Sequence, residues 1–434
     1  NRLSLGVISL TLLSLLFLFL GSTVWVGVSL FIVGIISIIL FTNNPPLTIL
    51  SNILWNNTNS ATMMALPLFI LMGEILVRSR LSESLFKGLA PWMSFLPGRL
   101  LHVNIIASSL FSAVSGSSAA TTATVGKIAL PELLKRNYSR SLSIGSLAGA
   151  GTLGFLIPPS MMMIVYGIVA EVSIGRLFIA GIIPGIILAI GFSGYIMIRS
   201  LINPSLASKG EEYTWEDRFK ALPNLLPIIL LIILVLGSIY TGWATPTEAA
   251  SVGVLGSFII ALFSRSLNGK VLKEIILGSV KTSTMIMLIV CGASYLSVTV
   301  GYLNIPSQLT QFISDLGLSG YQLIIILSIM YIILGMMLDG FSLIVMSLPL
   351  ALPLIVAAGF DPLWFGIYLI LMIEVAQITP PVGFNLFVIN GLVKDDVLKI
   401  AYYAIPSFII ILLATALITM YPEIILWLPE KMMQ

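Results

Sequence analysis

The residues best suited to chemistry lie in four short segments within apolar regions, and the first reads SGSSAATTAT from Ser115 to Thr124. It places six hydroxyl side chains and one glycine at a predicted turn. A turn at membrane depth leaves backbone carbonyls unpaired, so it persists only where it is buried in protein or lines a polar cavity. Carbonyl and hydroxyl oxygens are hard ligands that suit a small alkali cation. Small residues could equally serve close helix packing, and this segment alone leaves both interpretations open.

Two further segments contain paired prolines, GTLGFLIPPS from Gly151 to Ser160 and ITPPVGFN from Ile378 to Asn385. Proline lacks a backbone donor and disfavours helix in the preceding residue, so we expect each span to break there. The fourth segment is the turn Asp339-Gly340-Phe341-Ser342. One proline pair could be a simple kink, but two pairs, each with its own turn, favour a binding site.

A broken helix offers binding partners for both an anion and a cation. Their N-termini carry positive dipole ends that suit a carboxylate, while unwound carbonyls suit a cation, so the pattern predicts an organic anion flanked by Na⁺ sites. Acidic residues inside a membrane are functional candidates because burying their charge is costly. Asp339 is the favoured site residue, whereas Glu248, after Thr245-Pro246, is typical of a structural acid at a helix N-terminus. The other two intramembrane acids are Glu74 and Glu374.

Composition places these segments in a membrane protein. Of 434 residues, 58% are hydrophobic and 9% are charged, whereas soluble domains are about 25% charged. The single cysteine, Cys291, and the single histidine, His102, exclude a disulfide framework and the usual zinc sites. The sequence shows no basic face of the kind that binds nucleic acid. It also shows no ATP-binding loop or catalytic constellation of the kind that indicates an enzyme.

The apolar stretches predict ten spans, since a spanning helix needs about 20 apolar residues. These spans are 4–21, 24–41, 63–78, 141–169, 177–199, 223–242, 246–264, 282–303, 362–390 and 400–421. Two more apolar regions, 101–136 and 320–358, remain to be placed. In the first, arms of about 14 residues reach only about 21 Å and cannot cross a core of about 30 Å, which predicts a re-entrant hairpin. The second could be a hairpin or two full spans.

Positive charges predict how the spans are oriented. Of the 21 lysines and arginines, 18 fall in five groups in alternate loops, and the intervening loops 42–62, 304–319 and 359–361 carry none. Positively charged loops face the cytoplasm. We therefore expect both chain ends on the side of the membrane opposite the cytoplasm, with the lipid bilayer around the spans.

An internal repeat decides between the alternatives for the second region. Pro158-Pro159 and Pro380-Pro381 are 222 positions apart, as are Pro131 and Pro353. The offset predicts an all-α polytopic membrane protein of two inverted-topology repeats, each with about five transmembrane helices and one re-entrant hairpin. The predicted domains are a first repeat, 1–202, a cytoplasmic connecting arm, 203–222, and a second repeat, 223–434.

As a set, SGSSAATTAT, GTLGFLIPPS, ATPTEAA from Ala244 to Ala250, and ITPPVGFNLFVING from Ile378 to Gly391 resemble the large membrane subunit of TRAP transporters. The likeness extends through nearly the whole chain, and it implies a multi-pass protein of the bacterial inner membrane with both chain ends in the periplasm. It implies elevator-type alternating access, Na⁺ as the coupling ion without another cofactor, and uptake of an organic acid such as sialic acid or a C4-dicarboxylate. It also implies two partners, a small four-helix membrane subunit and a periplasmic substrate-binding protein.

The same resemblance implies substrate and Na⁺ ligands at the hairpin tips and the facing breaks. In the first repeat these are Ser115, Gly116, Ser117, Ser118, Gly154 and Pro158; in the second they are Asp339, Gly340, Ser342, Thr379, Pro380, Gly383 and Asn385. The nearest competing function is a stand-alone Na⁺/dicarboxylate symporter, followed by a proton-coupled antiporter. An ion channel would keep the hairpins as a static filter, which fits two inverted hairpin-and-break pairs less well.

Overall fold

A computed structural model describes residues 5–22, 24–208, 212–336, 338–381 and 383–432. Parts of the predicted first span, connecting arm and chain ends, namely 1–4, 209–211, 433 and 434, lie outside these residues. The helices are α1 Leu5–Gly21, α2 Val26–Phe41, α3 Pro46–Thr58, α4 Ala61–Val77, α5 Leu81–Met93, α6 Leu101–Ser115, α7 Ser118–Lys135, α8 Arg140–Thr152, α9 Met161–Val169, α10 Ile174–Ile202, α11 Trp215–Ala221, α12 Leu226–Tyr240, α13 Pro246–Phe263, α14 Gly269–Tyr302, α15 Ile305–Asp315, α16 Gly320–Gly335, α17 Gly340–Ala357, α18 Pro362–Gln377, α19 Phe384–Val393, α20 Val397–Met420 and α21 Glu423–Met432.

The described residues contain helices and no strand, which confirms the all-α fold class. By length and composition, five helices can cross a membrane, namely α10, α13, α14, α17 and α20. The number rises to seven if the bent pairs α3–α4 and α11–α12 each form one span. Predicted spans 4–21 and 24–41 correspond to α1 and α2, which have 17 and 16 residues.

Both unplaced apolar regions are helical hairpins. The first consists of α6 and α7, joined at residues 116–117, and the second consists of α16 and α17, joined at 336–339. Predicted spans 141–169 and 362–390 each contain two helices with a break between them, α8–α9 and α18–α19. Helices α7 and α17 begin 222 residues apart and end 222 residues apart. This offset supports the division into two repeats, which stays a prediction.

The hairpins and broken helices pack into one group. Helix α8 contacts α6, α7 and α20, while α18 contacts α16, α17 and α20. Within the group, helices from the two halves of the chain also contact each other, because α7 packs on α19 and α17 packs on α9. Around it, α2 and α4 pack on α14, and α4 packs on α13. Of these outer helices, α4 contacts α6 and α9 of the group, and α14 contacts α17.

The predicted connecting arm is partly helical. It contains a turn of 3-10 helix at Pro204–Leu206, then α11, whose N-terminal Thr214 and Asp217 form a reciprocal capping box. Helix α11 packs on α5, where the Arg218 guanidinium donates a hydrogen bond to the Pro91 carbonyl at 3.2 Å. The arm is therefore attached to the first half of the chain and is more than a solvated linker.

Candidate functional site at the hairpin tips and helix breaks

The first hairpin tip turns at Gly116. This residue has a left-handed φ of +60°, a conformation that glycine adopts without strain. Ser117 then caps α7, because its hydroxyl accepts a hydrogen bond from the Ala120 N–H at 3.3 Å. The hydroxyls of Ser115 and Thr121 lie 2.9 Å apart and join the two arms. Part of the hydroxyl-rich segment therefore builds the hairpin itself.

The first tip lies against the break between α8 and α9. The Gly116 carbonyl accepts a hydrogen bond from the Met161 N–H at 3.3 Å. A Cβ built on Gly154 would lie 2.6 Å from the Ser117 carbonyl carbon and 2.6 Å from the Ser118 nitrogen. Such distances are too short for a side chain, so glycine is what allows the two backbones to meet here.

The break ends where Ser160 caps α9 by accepting a hydrogen bond from the Met163 N–H at 3.4 Å. Pro158 and Pro159 are buried, and the peptide bond between them is cis. A Cβ built on Gly116 would approach the Pro159 carbonyl oxygen to 2.8 Å. The structure thus brings the predicted residues of the first repeat together around one backbone contact.

The second tip is built differently, since Asp339 is the N-cap of α17. Its carboxylate accepts hydrogen bonds from the N–H groups of Phe341 at 3.0 Å and Ser342 at 3.3 Å. The Ser342 hydroxyl also hydrogen-bonds to this carboxylate. Asp339 is exposed whereas Ser342 is buried. The carboxylate therefore holds the tip in shape and still presents free surface.

The second tip also reaches the first repeat. A Cβ built on Gly340 would lie 2.7 Å from Ile373 Cγ2 on α18 and 2.7 Å from Met162 Cε on α9. Among the described residues, no hydrogen bond links Asp339 to the break that follows α18. The second tip therefore lies between the start of α9 and the end of α18.

The second break lies between α18 and α19. Thr379 donates its hydroxyl to the Val375 carbonyl at 2.6 Å, and Pro380 follows with a cis bond to Pro381. Gly383, with φ +23°, precedes α19.

Asn385, in the first turn of α19, donates from Nδ2 to the Ser118 hydroxyl at 2.7 Å. This hydrogen bond joins the start of α19 to the start of α7, and both residues are buried. The predicted site residues of the two repeats therefore meet at this pair.

Together these contacts bring four helix N-termini into one region. The start of α7 contacts the starts of α19 and α9, and the start of α9 contacts the start of α17. Each N-terminus carries about half a positive charge, and the Asp339 carboxylate offsets that of α17. The N-termini of α7, α9 and α19 then form an electropositive region suited to an anion.

Unpaired oxygens lie at the same place. Thr122 Oγ1 on α7 and Asn385 Oδ1 on α19 are buried and have no hydrogen-bond partner among the described residues. A Cβ built on Gly151 of α8 would lie 1.9 Å from Thr122 Oγ1, so this hydroxyl faces α8 closely. No group of three His, Cys, Asp or Glu residues in the described chain could hold a metal ion. A cation here would therefore be held by hydroxyl, amide and carbonyl oxygens, which suits Na⁺.

Glu374 lies on α18, five residues before Thr379. It is fully buried, and neither carboxyl oxygen has a hydrogen-bond partner among the described residues. A charged carboxylate in that environment would be unstable, so we infer that Glu374 is neutral. It therefore contributes no negative charge to the anion-attracting region.

Three residues that shape this region, Ser160, Thr122 and Gly151, lie in the segments singled out from the sequence but were not among the predicted ligands. Ser160 fits the N-cap pattern, a serine directly before an apolar run, and could have been found by that signal. Thr122 and Gly151 had no such signal, because only the packing of α7 on α8 reveals them. The ligand roles of the predicted site residues stay predictions.

Comparisons with known proteins agree with this architecture. A family model described as "Tripartite ATP-independent periplasmic transporter, DctM component" matches residues 13–424. The C4-dicarboxylate TRAP transporter large permease protein DctM of Vibrio cholerae is 31% identical over 395 residues, covering 86% of each chain. The sialic acid TRAP transporter large permease protein SiaM of the same species is 28% identical, covering 93% of this chain and 94% of that protein.

A solved structure, the YdaH transporter of Alcanivorax borkumensis, superimposes with a TM-score of 0.64 at 13% identity, covering 88% of each chain. At that identity the likeness concerns the fold alone. The family match spans most of the chain and carries the assignment. The resemblance inferred from the motifs is confirmed, and the chain belongs to the DctM component family of tripartite ATP-independent periplasmic transporters.

Proposed function

We propose that this chain is the large subunit of a Na⁺-coupled transporter that takes up an organic acid anion across the bacterial inner membrane. The observation that carries the proposal is the convergence of four helix N-termini, from both halves of the chain, at two hairpin tips and two breaks. Positive helix ends attract a carboxylate. Because helix N-termini attract anions through backbone N–H groups, the site suits an anion without requiring an intramembrane lysine or arginine.

The oxygens beside those N-termini support Na⁺ coupling. The unpaired oxygens of Thr122 and Asn385, with the carbonyls that the breaks leave outside helices, offer hard ligands next to the anion region. A cation bound there would lower the cost of bringing in a negatively charged substrate.

The proposed substrate is an organic acid such as sialic acid or a C4-dicarboxylate. Two similar proteins carry these substrates in their names. Both substrate types have a carboxylate, which matches the electropositive region formed by the helix N-termini.

The proposed transport cycle is an elevator movement of the group formed by the hairpins and broken helices. The four N-termini belong to helices that contact one another, and the outer helices α4 and α14 contact this group through α6, α9 and α17. The proposed partners are a small four-helix membrane subunit and a periplasmic binding protein that delivers the substrate. In the proposed orientation, both chain ends face the periplasm.

The test is uptake into proteoliposomes that contain this chain, the small subunit and the binding protein, across a panel of organic acids. We expect uptake to require an inward Na⁺ gradient and to fail with a proton gradient alone. Liposomes lacking this chain are the control. Undiminished uptake in Na⁺-free buffer would refute Na⁺ coupling, and uptake without the two partners would favour a stand-alone symporter.

A further inference from the structure

A cleft separate from the hairpin tips lies between α8, α10 and α20, at the end of these helices that the positive charges assign to the cytoplasm. Its volume is about 250 Å³. Since a water molecule occupies about 30 Å³ in the liquid, the cleft is larger than a single ion needs. Its lining includes Ser141, Tyr195, Arg199, Tyr402 and Tyr403.

The lining changes character with depth. The mouth is polar, with Ser141 at the start of α8 and Arg199 in the last turns of α10. Seven residues along α10, or about 10 Å deeper, the lining includes the apolar side chains of Phe192 and Ile410 together with the hydroxyl of Ser407. A cationic mouth with apolar side chains below it matches a phospholipid, whose phosphate lies above its acyl chains.

The mouth contains a positive charge that is not neutralised by the protein. Among the residues that the structure describes, no carboxylate forms an ion pair with Arg199, and its guanidinium lies 6.0 Å from the centre of the Tyr195 ring. By contrast, Arg140 nearby is paired with Asp395 at 2.8 Å. Arg199 is exposed and therefore available to an anion from outside the chain.

The cleft is closed towards the hairpin tips and open towards the lipid. At its inner end, a Cβ built on Gly149 would lie 2.3 Å from Ser407 Oγ, so α8 and α20 are in direct contact there. Beside the cleft, Tyr402 and Ile405 on α20 are 69% and 45% exposed, which marks the face of α20 that meets lipid. A lipid can enter from the side, whereas a solute at the tips cannot reach the cleft directly.

We propose that this cleft binds an anionic phospholipid of the inner leaflet, with the phosphate at Arg199 and one acyl chain along Phe192 and Ile410. Arginine suits phosphate because its planar guanidinium donates paired hydrogen bonds. Basic pockets between helices on the cytoplasmic side are typical sites for anionic headgroups. The tyrosine and serine hydroxyls at the mouth supply further donors.

The test is lipid retention by the purified full-length chain, measured by native mass spectrometry in mild detergent with added dioleoyl phosphatidylglycerol or dioleoyl phosphatidylcholine. We expect preferential retention of phosphatidylglycerol. Arg199→Gln should weaken it about fivefold, since one basic side chain near a membrane contributes about 1 kcal/mol. Arg80→Gln is the matched control, because Arg80 is an exposed cytoplasmic arginine away from the cleft.

A second variant tests the cleft without altering charge. Ile405→Trp should obstruct the opening and reduce retention of phosphatidylglycerol, whereas Ile409→Trp, on the same lipid-facing side but outside the lining, should not. The proposal is overturned if neither Arg199→Gln nor Ile405→Trp differs from its control. It is also overturned if glycerol 3-phosphate displaces the lipid at equal concentration, which would indicate a site for a soluble anion. No transport step enters the measurement, so its result is independent of the proposed uptake.

Discussion

Replacing Gly154 by alanine would place a methyl group against the backbone of the first hairpin tip. The new Cβ would lie 2.6 Å from both the Ser117 carbonyl carbon and the Ser118 nitrogen, whereas ordinary contacts begin at 3.4 Å. The tip would have to move by about 0.8 Å, the difference between these distances. Because the neighbouring atoms are backbone atoms, rotation of a side chain cannot relieve the contact.

The energetic cost follows from this overlap. Overpacking of this kind costs about 1–3 kcal/mol, and the strain is present only while the tip rests on the break. If Na⁺ binds between them, the strain weakens Na⁺ binding by about 5- to 150-fold. Gly194→Ala is a matched control on α10, because a Cβ there would meet nothing within 4 Å. In that helix alanine should be neutral or stabilising.

The assay is the Na⁺ concentration that gives half-maximal substrate uptake in proteoliposomes with the complete transporter. Thermal unfolding of each purified variant, with and without Na⁺, serves as a second measurement. We expect Gly154→Ala to need more Na⁺ and to lose Na⁺-dependent stabilisation, and Gly194→Ala to match the unmodified chain. Equal half-saturating Na⁺ concentrations for the two variants would refute a binding role for the contact between tip and break.

Three further predictions concern buried and charged groups. A double-mutant cycle of Ser118→Ala and Asn385→Ala should give a coupling energy of about 1 kcal/mol in unfolding, and additive effects would show that their hydrogen bond contributes nothing. Glu374→Gln should fold and transport nearly normally because the carboxyl is neutral. Glu374→Lys should fail to give monodisperse protein, because it buries an unpaired charge. Lost uptake in a well-folded Glu374→Gln variant would instead assign a proton-transfer role to the carboxyl. The guanidinium of Arg140 lowers the pKa of Asp395, so Arg140→Gln should destabilise the chain by at most about 1 kcal/mol at pH 7. Because the ion pair stabilises the unprotonated carboxylate, this difference should disappear as the pH falls through that lowered pKa. Unfolding measured at pH 7 and at pH 3 would check this.

Hydropathy predicted the long apolar helices and missed the short or partly polar ones. Helices α3, α5 and α15 have 11 to 13 residues, too few to register as spans. Helix α14 begins at Gly269, earlier than the predicted span at 282. Its first turns carry lysines, which hydropathy assigned to a loop. Apolar runs indicate what lies in lipid, and a helix that continues beyond the membrane leaves no such signal.

The tips and breaks were predictable because proline restricts the backbone locally and glycine permits the left-handed conformation that a tight turn needs. The partners of each tip were not predictable, since they depend on how separate helices pack. The sequence favoured Asp339 as a ligand, and the structure shows its carboxylate capping α17. The contact between Asn385 and Ser118 joins residues 267 positions apart, a distance over which no local pattern operates.

Contacts between the two halves of the chain constrain the proposed movement. Asn385 holds α19 to α7, and Gly340 packs the start of α17 on α9, so neither hairpin can shift alone without breaking a contact with the other half. The outer helices offer a different kind of contact: a Cβ built on Gly73 of α4 would lie 2.9 Å from the Ser115 carbonyl, a close but side-chain-free approach. A surface without interlocking side chains at this point can slide more readily than one with them. The proposed elevator movement would therefore carry both tips and both breaks together past α4 and keep the anion region intact.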